Sequence, residues 1–381
     1  MDSELGSITD RIHAALAQRA PLRIRGGGSK DFYGHTPQGE LLDVSGWRGI
    51  ISYEPTELVV TVRAGTPLSE LEAALAERGQ HLAFEPPQFA AGRASCGGAV
   101  AAGLSGPART SAGAVRDFVL GVALINGRGE RLSFGGQVIK NVAGYDVSRL
   151  MVGAMGTLGV LTEISLKVLP APRAEATLIC SGLTQNQALD LLHRWGGQPL
   201  PLNASCWLSD EDASPPRGRL WVRLRGALAA VQAACPQMLA DLQAEGGESL
   251  RMDDAAARDH WSACRDQTLS FFRAPAAALG LWRLSLPQTT PALSLPWAQL
   301  VEWHGGQRWL WAPAHAHAQL RAAARAVGGA ATLFMAPFSD SADGVARFSP
   351  LEPALARIHQ RLKAEFDPAG IFNPGRMYAD L

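Results

Sequence analysis

The chain has 381 residues, 47% hydrophobic and 18% charged, with 35 Lys plus Arg balanced against 35 Asp plus Glu. Such a length predicts two or three domains around a sizeable core. A neutral chain without a basic block excludes nucleic acid and anionic lipid as its main partners. The five cysteines, Cys96, Cys180, Cys206, Cys235 and Cys264, form no C-x-x-C pair. Their spacing supports no disulfide framework, zinc site or iron–sulfur cluster, and no metal is expected. The acidic, amphipathic N-terminus and the lack of a run near roughly eighteen apolar residues point to a reduced, cytoplasmic protein. Ten tryptophans, most of them after position 190, fit either a buried partner interface or an ordinary core.

In chain order, Ile8, Ile12, Ala15 and Leu16 recur at helical spacing and predict a first helix over 7–19. Residues 21–25 read as a strand entering Gly26-Gly27-Gly28, and 58–62 as a second strand. Thr66 as N-cap, Pro67 at the first helical position and Gly79 as the stop frame a helix with Leu68, Leu71 and Leu75 on one face. Residues 84–116 are dense in glycine, alanine and serine, and side chains this small let a ligand or another backbone come close. The runs 119–125 and 130–134 flank Asn126-Gly127-Arg128-Gly129, a hairpin signal, and 161–168 alternates as a half-buried strand.

Pro170-Ala171-Pro172 marks a boundary, closing a first domain at 1–170. Strands at 220–224 and 281–284 and helices at 184–195 and 313–326 predict a second, smaller α+β domain over 171–338. The remaining stretch, 339–381, opens on a helix with Ser349-Pro350-Leu351-Glu352 as capping box and Leu355, Ile358, Leu362 and Phe366 as its apolar face. Residues 370–377 are too rich in turn formers for a helix and too apolar to hang free, so they are expected to pack on the first domain. The fold class is α+β.

Two glycine-dense stretches carry the functional signal. Arg25-Gly26-Gly27-Gly28-Ser29-Lys30 follows a strand, and Lys140-Asn141-Val142-Ala143-Gly144-Tyr145-Asp146 leads into Gly153-Ala154-Met155-Gly156-Thr157-Leu158-Gly159. Consecutive glycines turn successive backbone N–H groups toward one point, which suits a diphosphate, and Arg25 and Lys30 add positive charge there. One glycine run is as readily a tight turn. Two, joined by a glycine-rich segment, suggest a long phosphate-bearing cofactor lying along the chain.

These blocks resemble the vanillyl-alcohol-oxidase-like FAD family, the PCMH-type fold. The match covers the Arg-Gly-Gly-Gly loop, the segment 86–103, Val115-Arg116-Asp117, the Gly144 to Gly159 blocks, and Phe366-Asp367-Pro368 through Asn373-Pro374-Gly375. The resemblance implies a two-subdomain FAD-binding domain to which the C-terminal helix and tail return. Within the family, the short chain and the 140–146 run are most similar to the FAD-binding subunits of bacterial glycolate oxidases, also called glycolate dehydrogenases.

By that resemblance, Arg25, Gly26, Gly27, Gly28, Ser29 and Lys30 hold the FAD pyrophosphate. Pro86, Ser95, Gly97, Gly98, Ala101 and Gly103 line its path. Arg109 and Arg116 are charge partners for the cofactor, or else surface or interface arginines. Gly153, Gly156, Thr157 and Leu158 lie against FAD, Ile164 near its adenine, Asn373 closes the site from the tail, and Lys140 and Tyr145 stand nearest the ring. Members that attach flavin covalently often carry His where this chain has Ser29, so the FAD is expected to be non-covalent. Cys96 is either a flavin-linking thiol or a small buried residue in a glycine-rich turn.

Oxidation of a 2-hydroxy acid by flavin needs a carboxylate anchor and a base or metal near the hydroxyl. Related full-length dehydrogenases add a Glu-His-Gly element and spaced histidine ligands, which are not found here. His304 sits in Glu302-Trp303-His304-Gly305, and His315 and His317 are two apart, on opposite sides of a helix. Tyr145, His260 and Arg265 are the catalytic candidates. Three readings follow. One is an FAD subunit oxidising glycolate to glyoxylate beside a larger catalytic flavoprotein and an iron–sulfur subunit, cytoplasmic or at the inner face of the membrane through those partners. The others are a self-sufficient D-lactate-type oxidoreductase and a flavin-binding assembly subunit.

Overall fold

The structure, a computed structural model, describes residues 2–136, 145–210, 217–338 and 344–381. The chain forms two compact units: Met1–Ser105 with Gly113–Ala171 and Pro350–Leu381, and Gly106–Ala112 with Pro172–Ser349.

The first unit is built, among the described residues, on an antiparallel five-stranded sheet in the order Ile50–Glu54, Val59–Arg63, Val160–Lys167, Val119–Ile125, Arg131–Gly135. The hairpin at Asn126 forms as expected, with Ile125 opposite Arg131. The strand Leu22–Arg25 pairs in parallel with Glu40–Asp43 and is bridged on its other side by Phe372. The helix Asp2–Gln18 lays Ile8, Ile12 and Ala15 into one core with Leu22, Leu42, Trp47, Ile371 and Phe372. The tail therefore returns to the first strand, as its apolar content implied.

Two helix starts differ from expectation. The helix Leu68–Ala76 has Pro67 as N-cap and no side-chain cap, because the Thr66 hydroxyl donates to the carbonyls of Gly49 and Arg63 instead. The C-terminal helix is Pro353–Phe366 with Glu352 as N-cap. Ser349 does not cap it, since its hydroxyl is bonded to the backbone of Ala331. Its apolar face is not a core face throughout: Leu355 is 44% exposed and Ile358 is 53% exposed. What this helix buries is Lys363, whose Nζ donates to Asp367 Oδ2 and to the carbonyls of Thr157 and Phe372 at 2.7–2.8 Å.

The second unit holds, among the described residues, an antiparallel eight-stranded sheet: Glu248–Arg251, Ala174–Leu183, Arg217–Gly226, Leu202–Asp210, Gln299–Glu302, Gln307–Pro313, Leu279–Ser285, Ala330–Met335. Helices Gln185–Gly196 and Leu228–Ala244 pack on it around Trp195, Leu220 and Val222. The helix His317–Ala326 covers a second cluster around Trp282, Leu310 and Leu333. Thr184 closes the first of these helices with a capping box to Gln187. All the tryptophans except Trp297 are buried, so the core reading of that residue type holds.

Candidate functional site

A groove runs along the first unit where the strand Leu22–Arg25 ends. One section is lined by Arg23, the run 25–31, Ser95, Tyr33 and Arg376. The next is lined by apolar and small residues, among them Val44, Ala64, Met151, Gly156 and Leu161. The two sections share Ile24, Gly26, Gly98, Ala101, Met155 and Asn373, and so form one channel.

The polar section is built by close backbone approach. A Cβ on Gly27 would collide with the carbonyl oxygen of Arg93. Gly28 sits at φ +69°, a region that suits glycine. Among the described residues, the N–H groups of Gly26, Gly27, Gly28 and Ser29 make no backbone hydrogen bond. Unpaired backbone donors in a sheltered place call for an acceptor. Arg23, Arg25, Lys30 and Arg376 line the same section against a single carboxylate, Asp31, which pairs with Arg25 at 2.8 Å. Ser95 caps the helix Cys96–Ala102 by accepting from Gly98 N–H at 3.2 Å. The groove thus fits an anion at one end and a flat apolar group at the other.

The expected residues divide. Arg25 to Lys30, Ser95, Gly97, Gly98, Ala101, Gly156 and Asn373 line the groove. Asn373 acts on the walls: its Oδ1 accepts from Ile24 N–H at 2.8 Å and its Nδ2 donates to Met155 O at 2.7 Å. Pro86 is buried outside the lining. Gly103 and Gly153 meet each other, where a Cβ on Gly103 would lie 2.9 Å from Gly153 Cα. Thr157 donates to Ala154 O at 2.7 Å, and it and Leu158 face a separate cavity beside Leu362 and Met377. Ile164 is fully buried between Val62 and Val122 in the sheet. Arg116 is exposed, and Lys140 lies outside the described residues. Arg109 belongs to the second unit, its guanidinium 4.5 Å from the Trp303 ring centre. Arg23, Tyr33 and Arg376 were missed. For Arg376 the signal was present, three residues beyond Asn373 in the same turn-rich tail.

None of the catalytic candidates lines the groove. Tyr145 is 96% exposed. Arg265 forks onto its neighbour Asp266 at 3.0 and 2.8 Å. His260 stacks on Trp221 at 4.4 Å, and burial, with the Arg223 charge, holds its pKa down to about 4. Its Nε2 lies 3.5 Å from Cys264 Sγ, and Cys206 completes a group whose ligand atoms all lie within 4.8 Å of one another. His304 is held by hydroxyls: Nδ1 is 2.9 Å from Ser205 Oγ and Nε2 3.3 Å from Ser111 Oγ, with burial lowering its pKa to about 4. Burial pushes the Cys96 thiol up to about 12, which leaves it a packed, unreactive thiol and not a flavin attachment point. A cavity of about 950 Å³ lies in the second unit between Trp207, Trp297 and Trp311. It has no glycine cradle, and the groove is the better site on chemical grounds.

Comparison with known proteins agrees with the groove. Residues 5–135 match the family model described as FAD binding domain. The structure of p-cresol methylhydroxylase with substrate bound superposes with TM-score 0.70 at 13% identity, over 98% of this chain and 87% of that one. Alkyldihydroxyacetonephosphate synthase gives 0.68 at 14%, over 96% and 74%. These likenesses are of fold. Fold and groove together define a flavoprotein of the PCMH-type, vanillyl-alcohol-oxidase-like class, with FAD as cofactor.

Over 98% of its length the chain is 45% identical to glycolate oxidase subunit GlcE of Escherichia coli (strain K12), 97% of which it covers, and it belongs to that family. It is also 32% identical to glycolate oxidase subunit GlcD of Bacillus subtilis (strain 168), over 45% of this chain and 37% of that protein. Among the described residues, no helix is long and apolar enough to cross a membrane.

Proposed function

We propose that this chain is the FAD-binding subunit of a glycolate oxidase complex that oxidises glycolate to glyoxylate and passes the electrons through flavin to partner subunits. The observation that carries the reading is the cradle of unpaired N–H groups at Gly26, Gly27, Gly28 and Ser29 in a chain 45% identical end to end to a glycolate oxidase subunit. Bound in this groove, FAD supplies hydride acceptance and one-electron relay. The chain's own residues do the rest. The four N–H groups and the charges of Arg23, Arg25, Lys30 and Arg376 hold the diphosphate. Val44, Ala64, Met151 and Leu161 keep water from the apolar section. Ser29 offers no imidazole for a covalent link, so the FAD dissociates.

Among the described residues, the groove is lined by no histidine and by one carboxylate, Asp31. The base and the substrate anchor then come from a larger catalytic flavoprotein, and an iron–sulfur subunit takes the electrons, all in the cytoplasm or on the inner face of the membrane through those partners. The test is the visible spectrum of the purified chain under anaerobic glycolate. A flavin spectrum indifferent to glycolate until the larger subunit is added agrees with this reading. Bleaching by glycolate alone makes the chain self-sufficient, and absence of flavin after incubation with FAD overturns the reading altogether.

A further inference from the structure

The second unit carries a group of soft ligands that flavin chemistry does not use. His260 and Cys264 stand one turn apart on one face of the helix Asp254–Asp266, and Cys206 projects from the strand Leu202–Asp210. Their three ligand atoms lie mutually within 4.8 Å, and His260 Nε2 is 3.5 Å from Cys264 Sγ. A tetrahedral zinc ion with Zn–S about 2.3 Å and Zn–N about 2.0–2.1 Å sets those two atoms about 3.5 Å apart. We propose that Cys206, His260 and Cys264 form a three-ligand site for a zinc ion, with solvent as the fourth ligand.

The surroundings fit this occupant. Both thiols are buried and His260 is half-buried. The imidazole is fixed by stacking on Trp221 at 4.4 Å and by the edge of Trp261 at 5.2 Å, which aims Nε2 at the sulfurs. Two thiolates neutralise the dication, and both thiol protons leave to solvent. The remaining local charges balance as well. Arg223 lies 4.9 Å from the Trp261 ring, and Glu302 is the register partner of Cys206 across the sheet. Thiolate and imidazole select a borderline-soft metal over magnesium or calcium. The site ties the helix Asp254–Asp266 to the sheet and is independent of the FAD groove, whose lining shares no residue with it.

The test is cobalt(II) titration of the reduced, chelator-treated full chain, with zinc as competitor. The expected result is one equivalent of cobalt with thiolate-to-metal charge-transfer absorption and four-coordinate ligand-field bands, abolished by zinc. Cys264→Ser and Cys206→Ser should weaken binding by more than the roughly 10- to 100-fold carried by outer-sphere partners alone, while Cys235→Ser binds as the parent does. His260→Gln keeps both thiols and should also weaken cobalt by more than tenfold, which covers the case of a thiol variant that fails to fold. No charge-transfer band in the parent, or an undiminished band in His260→Gln, overturns the proposal. So does a thiol count on the unreduced, unfolded chain that shows Cys206 and Cys264 joined as a disulfide.

Discussion

Lys363 and Asp367 form a buried ion pair one helical turn apart, Nζ to Oδ2 2.7 Å, that fastens the tail to the first unit. Lys363 also donates to Thr157 O and Phe372 O, and Asp367 accepts from the N–H groups of Ile371 and Phe372. Phe372 in turn bridges the strand that leads into the glycine cradle. Asp367→Ala leaves an uncompensated buried ammonium, so it is expected to cost about 3–5 kcal/mol in denaturant unfolding. Flavin content should fall with it. Asp367→Asn keeps one acceptor oxygen and should cost less.

Gly27 has no room for a side chain. Gly27→Ala pushes a Cβ into the carbonyl of Arg93 and must move the cradle. FAD affinity, read by flavin fluorescence, should drop by at least roughly tenfold, equivalent to about 1.4 kcal/mol. Gly79→Ala is the control. It meets nothing within 4 Å and lies at φ +64°, so it should lose about 1 kcal/mol of stability with FAD affinity unchanged.

Neither the Ser29 hydroxyl nor the buried Cys96 thiol suits covalent flavin attachment. Acid precipitation of the flavin-loaded chain should therefore leave all the yellow colour in the supernatant. Flavin retained on the denatured pellet would contradict the roles given to Ser29 and Cys96.

The His304 ring is neutral by construction. The Ser111 hydroxyl donates to Leu202 O, so Nε2–H donates to Ser111 while Nδ1 accepts from Ser205. Its pKa is about 4 in the folded chain against 6.5 ordinarily. Between those values the unfolded chain binds a proton that the folded chain refuses, so stability is full above 6.5 and declines as pH falls toward 4. This histidine contributes up to about 3 kcal/mol to that loss. His304→Asn tolerates the positive φ of the position and should flatten the acid limb of urea-melt stability against pH.

Much of the first unit was legible because its signals are local. Strand alternation at 161–168, the turn at Asn126 and the glycine cradle each depend on neighbours in sequence, and each formed where the pattern placed it. The apolar stripe of the last helix was legible as helix but not as core. Burial depends on what packs opposite, and among the described residues Leu355 and Ile358 stay about half exposed. The tail motif named Asn373 but not Arg376 as a lining residue, since periodicity says which residues turn and not which cavity they reach.

What the sequence by itself determined was the cofactor class and its cradle, because a diphosphate is held by consecutive backbone groups whose glycines are consecutive letters. Only the tertiary structure separated the glycines that line the groove from Gly103 and Gly153, which simply let two backbones touch. Only the tertiary structure, too, brought Cys206 beside His260 and Cys264, or set Lys363 against the carbonyls of Thr157 and Phe372. Those groupings join residues far apart in the chain through strand register and helix docking, and no local pattern encodes either.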